Sequence, residues 1–284
     1  CARKRAHRAL KIKILIGIPE SAQKMTQGYA ENYHTHTPRC RHAVGNEEEY
    51  IAFALERGLR ILGFSDHTPY IFPDGYYSSF RMRPEEAEGY FETVRGLRDK
   101  YRGQLEIYAG LEAEYYPRHF GALLDFLRRF EPDYMILGQH CINDEYDGVY
   151  SGDPTDDERV LCRYVDQLIE AYETGCFTYS AHPDLIHYTG PEAIYEKHML
   201  RLCESAKREN MPLEINMLGI SARRNYPDER FWRIAAGVGC EAVIGSDAHK
   251  PSAVAAPAAL AKAEELAMRC GIHVLETVEL EKPV

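Results

Sequence analysis

Nitrogen and oxygen donors recur along this chain just after β-prone runs: His34-Thr35-His36, Asp66-His67, Gly110-Leu111-Glu112, Gln139-His140, His182-Pro183-Asp184 and Asp247-Ala248-His249. Imidazole with carboxylate suits Zn, Fe or Mn, and the absence of CxxC pairs argues against a closed structural zinc site. His34 and His36 alternate on an extended segment, so both face the same side and can reach one ion. A lone HxH arises often by chance; six coincident signals are specific. Asp66, as the neighbour of His67, can point away and orient another group, and Asp184 reads as an outer partner of a ligand.

The elements that must position these donors alternate in type. Seven candidate strands, Tyr29–His34, Arg60–Phe64, Leu105–Ala109, Tyr134–Leu137, Phe177–Ser180, Leu213–Ile215 and Ala242–Ile244, are separated by segments of helical periodicity. Asn46 with Glu49 forms a capping-box pattern and Gly58 suits the exit of that helix; Thr155 with Glu158 opens another. Further helices fall at Pro191–Glu209, Pro227–Ala236 and Ser252–Arg269. Strand followed by helix implies parallel pairing through right-handed crossovers, in a closed barrel or an open doubly wound sheet. Six of the seven strands end in a ligand-type residue. Only a barrel brings all the strand ends to one face, so the spacing predicts a distorted seven-stranded (β/α)7 TIM-like barrel.

The run Tyr33-His34-Thr35-His36-Thr37-Pro38-Arg39-Cys40-Arg41-His42-Ala43 resembles the opening of the PHP (polymerase and histidinol phosphatase) superfamily, and its histidinol-phosphatase branch in particular. Gly63-Phe64-Ser65-Asp66-His67, Gly110-Leu111-Glu112-Ala113-Glu114-Tyr115, Leu137-Gly138-Gln139-His140, Ala181-His182-Pro183-Asp184, Leu213-Glu214-Ile215-Asn216 and Gly245-Ser246-Asp247-Ala248-His249 extend the resemblance over roughly residues 29–270. It implies a PHP-type barrel holding three metals on His34, His36, His42, His67, Glu112, His140, His182, Asp247 and His249, with His42 added by resemblance alone. One zinc takes three or four ligands, so this set predicts about three divalent ions, Zn, Fe or Mn, bridged by a carboxylate. The remaining histidines, His7, His119, His187, His198 and His273, read as solvated or packed.

The branch implies hydrolysis of L-histidinol phosphate to L-histidinol and phosphate, within histidine biosynthesis. Hydroxide bridging two cations would attack phosphorus in line, without a covalent nucleophile on the protein. Asp247, His249 and Glu112 are expected to serve catalysis as well as ligation. A phosphate dianion calls for arginine, and the candidates are Arg224, Arg223 and Arg81. Tyr115, Tyr116, Tyr70 and Glu114 are available for the imidazole and amine of the substrate.

Bulk composition bounds the partners. The 284 residues carry a formal charge of −10, which opposes polynucleotide binding, and a small phosphate ester is the expected partner. With 45% hydrophobic residues and no apolar run of about 18 or more, no membrane span is expected. Eight cysteines without scaffold spacing fit a cytoplasmic protein, and Cys40 and Cys141 read as packing residues near the motifs. Residues 1–28 are expected to be a poorly ordered extension, ahead of a barrel at residues 29–284; Lys11 and Lys13 interrupt any signal-like apolar segment. Rival readings are a phosphoesterase for nucleotides, an amidohydrolase and a metal-storing barrel. The second lacks its bridging lysine, since none occurs between Lys100 and Lys197.

Overall fold

The computed structural model describes residues 29–284, and the expected N-terminal extension lies outside the described residues. In chain order the elements are β1 (Glu31–Asn32), α1 (Glu47–Glu56), β2 (Ile61–His67), α2 (Ala87–Lys100), β3 (Glu106–Ala113), α3 (Phe120–Leu127), β4 (Met135–Gly138), β5 (Cys141–Ile142), β6 (Val149–Tyr150) and α4 (Glu158–Tyr172). There follow β7 (Ser180–Ala181), α5 (Glu192–Arg208), β8 (Leu213–Asn216), α6 (Met217–Ala222), α7 (Glu229–Val238), β9 (Glu241–Gly245), α8 (Pro257–Cys270) and β10 (His273–Val274).

The main sheet is parallel, in the order β1-β2-β3-β4-β7-β8-β9-β10. All seven expected strands are present and neighbour one another in sequence order. Closure occurs at their carboxyl ends, where Thr35 bridges Ala248. His36 N donates to Ala248 O at 3.0 Å, and Ala248 N donates to His34 O at 3.3 Å. At the opposite end an eighth strand, β10, lies on β9 with Val274 opposite Ala242. The ring is therefore sealed where the donors emerge and splayed beneath them.

Local sequence explains most of the boundaries. Asn46 Oδ1 accepts from Glu49 N at 3.1 Å and Asn46 N donates to Glu49 Oε2 at 2.7 Å, closing the capping box at the start of α1. Asp157, not Thr155, caps α4, because its carboxylate accepts from Arg159 N at 2.8 Å while Thr155 bridges Tyr188. The helix expected over Ser252–Arg269 breaks into a 3-10 turn at Pro251–Ala253 and α8. Ala255 takes φ 47°, and Pro257, which has no N–H, begins the helix.

The core has two parts. A continuous apolar layer that includes Trp232, Tyr50 and Phe64 unites the helices with the outside of the sheet. Alternation along the strands sends Tyr134, Ile136 and Gly138 inward. Tyr33, Tyr134, Ile136, Tyr179, Ala181 and Val243 form a second cluster inside the ring. Tyr134 crosses the lumen, and its hydroxyl donates to Tyr33 O at 2.6 Å. Gly63 and Gly110 make room for it: a Cβ on either would fall 2.2 Å or 2.3 Å from the tyrosine. This plug forms the floor on which the polar strand ends stand.

Candidate metal centre

At the sealed end Glu112, the penultimate residue of β3, lies at the middle of the donors. Its Oε2 is 3.4 Å from His34 Nε2, 3.3 Å from His36 Nε2 and 3.1 Å from His67 Nδ1. Its Oε1 is 3.0 Å from His182 Nε2 and 3.5 Å from His140 Nε2. Asp247 Oδ1 lies 3.5 Å from His34 Nε2, 3.3 Å from His36 Nε2 and 3.3 Å from His249 Nδ1. Glu112 thus presents its two oxygens to separate groups of imidazoles. Backbone at two donors is held in the left-handed region, with φ 33° at His182 and 46° at Asp247, a strain that β-carbon-bearing residues adopt where surrounding structure demands it.

His42 stands at the exposed rim. Its ring stacks on His249 at 4.5 Å between centroids, and its Nδ1 lies 2.8 Å from Cys40 O, leaving Nε2 for a ligand. The structure thus brings together all nine residues expected as donors. Overlapping sets, among them His34–His36–Glu112, His34–His182–Asp247 and His36–His67–His249, have ligand atoms within 4.8 Å of one another. The fit to cations is carried by orphaned atoms. His34 Nε2, both ring nitrogens of His36, His67 Nδ1, Glu112 Oε2, His182 Nδ1 and His249 Nε2 are buried without a hydrogen-bond partner. Such groups are costly to bury unless something coordinates them.

Electrostatics agree. Burial would raise Glu112, but His34, His67 and His140 hold it well below the usual carboxylate range; Asp247 is held down against burial by His34, His249 and His36. Burial disfavours charged His36, yet Asp247, Asp66 and Glu112 bring it up to about 9. His67 is pushed well down by burial, and His42 falls to about 4 through burial and the neighbouring His249. The carboxylates thus favour positive charge on His34 and His36 against burial, charge that divalent ions would supply instead.

A layer of partners, most of it missed from sequence, fixes the rings. Glu214 on β8 has Oε1 2.8 Å from His34 Nδ1, and its Oε2 accepts from His182 N at 3.1 Å and from Asn216 Nδ2 at 2.9 Å. Asn216 Nδ2 also reaches Asp247 Oδ2 at 3.1 Å. The signal was present: Glu214 and Asn216 share one face of an otherwise apolar strand, the only expected strand without a donor at its end. Asp66 accepts from the Thr37 hydroxyl and lies 3.5 Å from His36 Nδ1. Asp184 contacts none of the donors here; it accepts from Asp228 N at 2.6 Å and Trp232 Nε1 at 3.1 Å, anchoring the start of α7. Cys40 Sγ accepts from Ala43 N at 3.3 Å, and burial pushes its thiol up to about 12.

Over the donors opens a cavity of about 600 Å³, walled by Ser79, Phe80, Tyr150, Leu218, Arg224 and Tyr226. Of the three arginines expected to meet phosphate, Arg224 lies in this wall, its Nη1 donating to Tyr226 Oη at 2.6 Å. Arg223 does not: it ends α6 in the left-handed conformation, φ 54°, and its exposed side chain is outside the cavity lining. Arg81 is fully buried and paired with Glu114 and Glu145, so it is removed from the phosphate-binding set. The residues expected to read the substrate's amine and ring are likewise elsewhere. Tyr116 is buried in the core, Tyr70 donates to Glu114 O, Tyr115 packs on Phe120, and Glu114 is engaged by Arg81 and His140. Phe80, Tyr150 and Tyr226 stand in the wall instead; Tyr150 belongs to the β5–β6 hairpin, whose Asp147-Gly148 turn signal was present in the sequence.

Residues 32–217 match the PHP domain family. A probable histidinol-phosphatase of Deinococcus radiodurans is 32% identical over 233 residues, spanning 78% of this chain and 86% of the relative. A probable histidinol-phosphatase of Schizosaccharomyces pombe is 25% identical over 273 residues, with 87% and 88% covered. Among solved structures, a histidinol phosphate phosphatase from Lactococcus lactis, in complex with zinc, L-histidinol and phosphate, shares the fold at a TM-score of 0.68 and 19% identity, covering 88% of this chain and 98% of that one. No helix among the described residues is long and apolar enough to cross a membrane.

Proposed function

We propose that this chain, which belongs to the PHP domain family and is a phosphatase, hydrolyses L-histidinol phosphate to L-histidinol and phosphate, a step of histidine biosynthesis. The observation that carries the reading is the convergence of seven imidazoles on Glu112 and Asp247 beneath an aromatic-walled cavity that holds Arg224. About three divalent ions, Zn, Fe or Mn, would be held by His34, His36, His42, His67, Glu112, His140, His182, Asp247 and His249. When bound, they would supply Lewis acidity, lowering the pKa of water toward neutrality and neutralising charge on the phosphoryl oxygens.

The chain's own residues divide the remaining work. Arg224 is placed to meet the non-bridging phosphate oxygens with a charged fork. Asp247 is held in its ionised form by His34, His249 and His36 against burial, so it is placed to accept a hydrogen bond from the attacking water and orient it. His249 lines the cavity beside Asp247, and its Nε2, buried without a partner, is committed to ligation, so the leaving alkoxide takes its proton from water. Phe80, Tyr150 and Tyr226 offer ring faces to an imidazole and shield the reacting centre from bulk water.

Purified protein assayed against L-histidinol phosphate, nucleoside monophosphates and short DNA tests the substrate. The expected result is the highest kcat/KM for histidinol phosphate. A tenfold or greater preference for AMP or DNA would overturn the assignment while leaving the metal centre intact.

A further inference from the structure

Arg81 is buried at a junction of three segments that follow strands, and all five of its N–H donors are engaged. Nη1 donates to Thr68 O at 2.7 Å and to Glu114 Oε2 at 3.2 Å; Nη2 donates to Glu114 Oε1 at 3.0 Å and to Glu145 Oε2 at 2.5 Å; Nε donates to Glu145 Oε1 at 3.2 Å. Each carboxylate is gripped in two places by one planar fork, an arrangement a lysine cannot reproduce.

The two carboxylates lead in different directions. Glu114 Oε1 lies 2.9 Å from His140 Nδ1, and His140 Nε2 faces Glu112. Nδ1 must carry the proton if Nε2 is to ligate, and Glu114 is its acceptor. Glu145 instead sits in the connection between β5 and β6, the hairpin that ends in the cavity residue Tyr150. Phe80, the chain neighbour of Arg81, lines the same cavity, and the guanidinium lies over its ring at 4.6 Å.

The geometry points to Arg81 as a positioning residue that acts in two directions at once: through Glu114 it fixes the ligating tautomer of His140, and through Glu145 it latches the hairpin that forms one wall of the substrate cavity. Metal affinity and substrate affinity are thereby tied to a single buried cation. One carboxylate would compensate the charge of Arg81; the second ties the hairpin to the strand ends. The substrate half of this inference rests on the phosphatase reading, and the metal half does not.

Three variants separate the halves: Glu114→Gln, Glu145→Gln and Arg81→Lys, each checked for retained secondary structure by circular dichroism. Zinc affinity is read by competition with a chromophoric chelator, and kcat and KM with p-nitrophenyl phosphate. Glu114→Gln is expected to weaken zinc binding about 10- to 100-fold and to lower kcat with KM within about twofold. Glu145→Gln should leave zinc affinity within about twofold and raise KM roughly tenfold. Arg81→Lys should show both effects. Unchanged zinc affinity in Arg81→Lys with a raised KM would make Arg81 a substrate contact and overturn the inference, as would Glu145→Gln with wild-type KM. Should Arg81→Lys fail to fold, the two glutamate variants decide the question. Should the protein hydrolyse no monoester, the phosphatase reading fails, and zinc affinity still decides the positioning role of Arg81.

Discussion

Glu214 Oε1 stands 2.8 Å from His34 Nδ1, a contact between side chains separated by 180 positions in sequence. It fixes which nitrogen of His34 faces Glu112 and Asp247, because Nδ1 is committed to donating and Nε2 is left free to ligate. Glu214→Gln, which keeps shape but weakens the acceptor, should lower metal affinity about 10- to 100-fold without unfolding the barrel. Metal content after dialysis against a graded chelator checks this; wild-type retention would reduce Glu214 to a packing residue.

Gly138 is required for a reason unrelated to turn formation. A Cβ there would lie 1.9 Å from Glu112 Oε1, and one on Gly245 would lie 1.7 Å from Glu214 Oε1. Gly138→Ala should therefore displace the Glu112 carboxylate and cut activity by roughly 100-fold or more, with a near-native circular dichroism spectrum. Retained activity would mean that Glu112 can move without consequence.

Arg224→Met should raise KM for the phosphate ester by roughly 10- to 100-fold, the cost of one hydrogen bond to a charged group, whereas Arg223→Met should change it by less than about twofold. The reverse order in steady-state kinetics would return Arg223 to the phosphate site.

Asp184, two residues after His182 but in contact with Asp228 and Trp232 instead of the donors, yields a pH prediction. Burial pushes its carboxyl from 3.8 up to about 7, with the Asp228 and Asp184 backbone N–H groups working against the shift. A folded pKa above the unfolded one stabilises fully below about pH 4, and that contribution is lost as pH rises through about 7. Between pH 5 and 8 the wild type should lose on the order of 2–3 kcal/mol of stability relative to Asp184→Asn, whose amide stays neutral. Urea unfolding of both proteins at the two pH values measures the difference. Parallel pH dependences would show that Asp184 does not titrate in this range.

Much of this was legible in the sequence because the information is local. Six of the seven expected strands are short β-prone runs followed by a donor, so strand order and the polar end could be read together, and the capping box at Asn46 fixed one helix start. The two-residue β10 and the β5–β6 hairpin were missed, since segments that short carry no period. Arg81 was misplaced for a different reason. Whether an arginine is a free cation or a buried clasp depends on Glu114 and Glu145, which lie 33 and 64 positions away and give no local signal. Glu214 and Asn216 occupied the middle position: their shared strand face was visible, but their partners His34 and Asp247 come from elsewhere in the ring.

Glu112, Asp247 and the surrounding imidazoles would hold the cations that hydrolyse a monoester. Elemental analysis of the purified protein, run beside phosphate release from L-histidinol phosphate before and after exhaustive chelation, tests it most directly. About three divalent ions per chain, activity abolished by chelation and restored by Zn, Fe or Mn, is the predicted result. Undiminished hydrolysis by protein stripped of metal would contradict it.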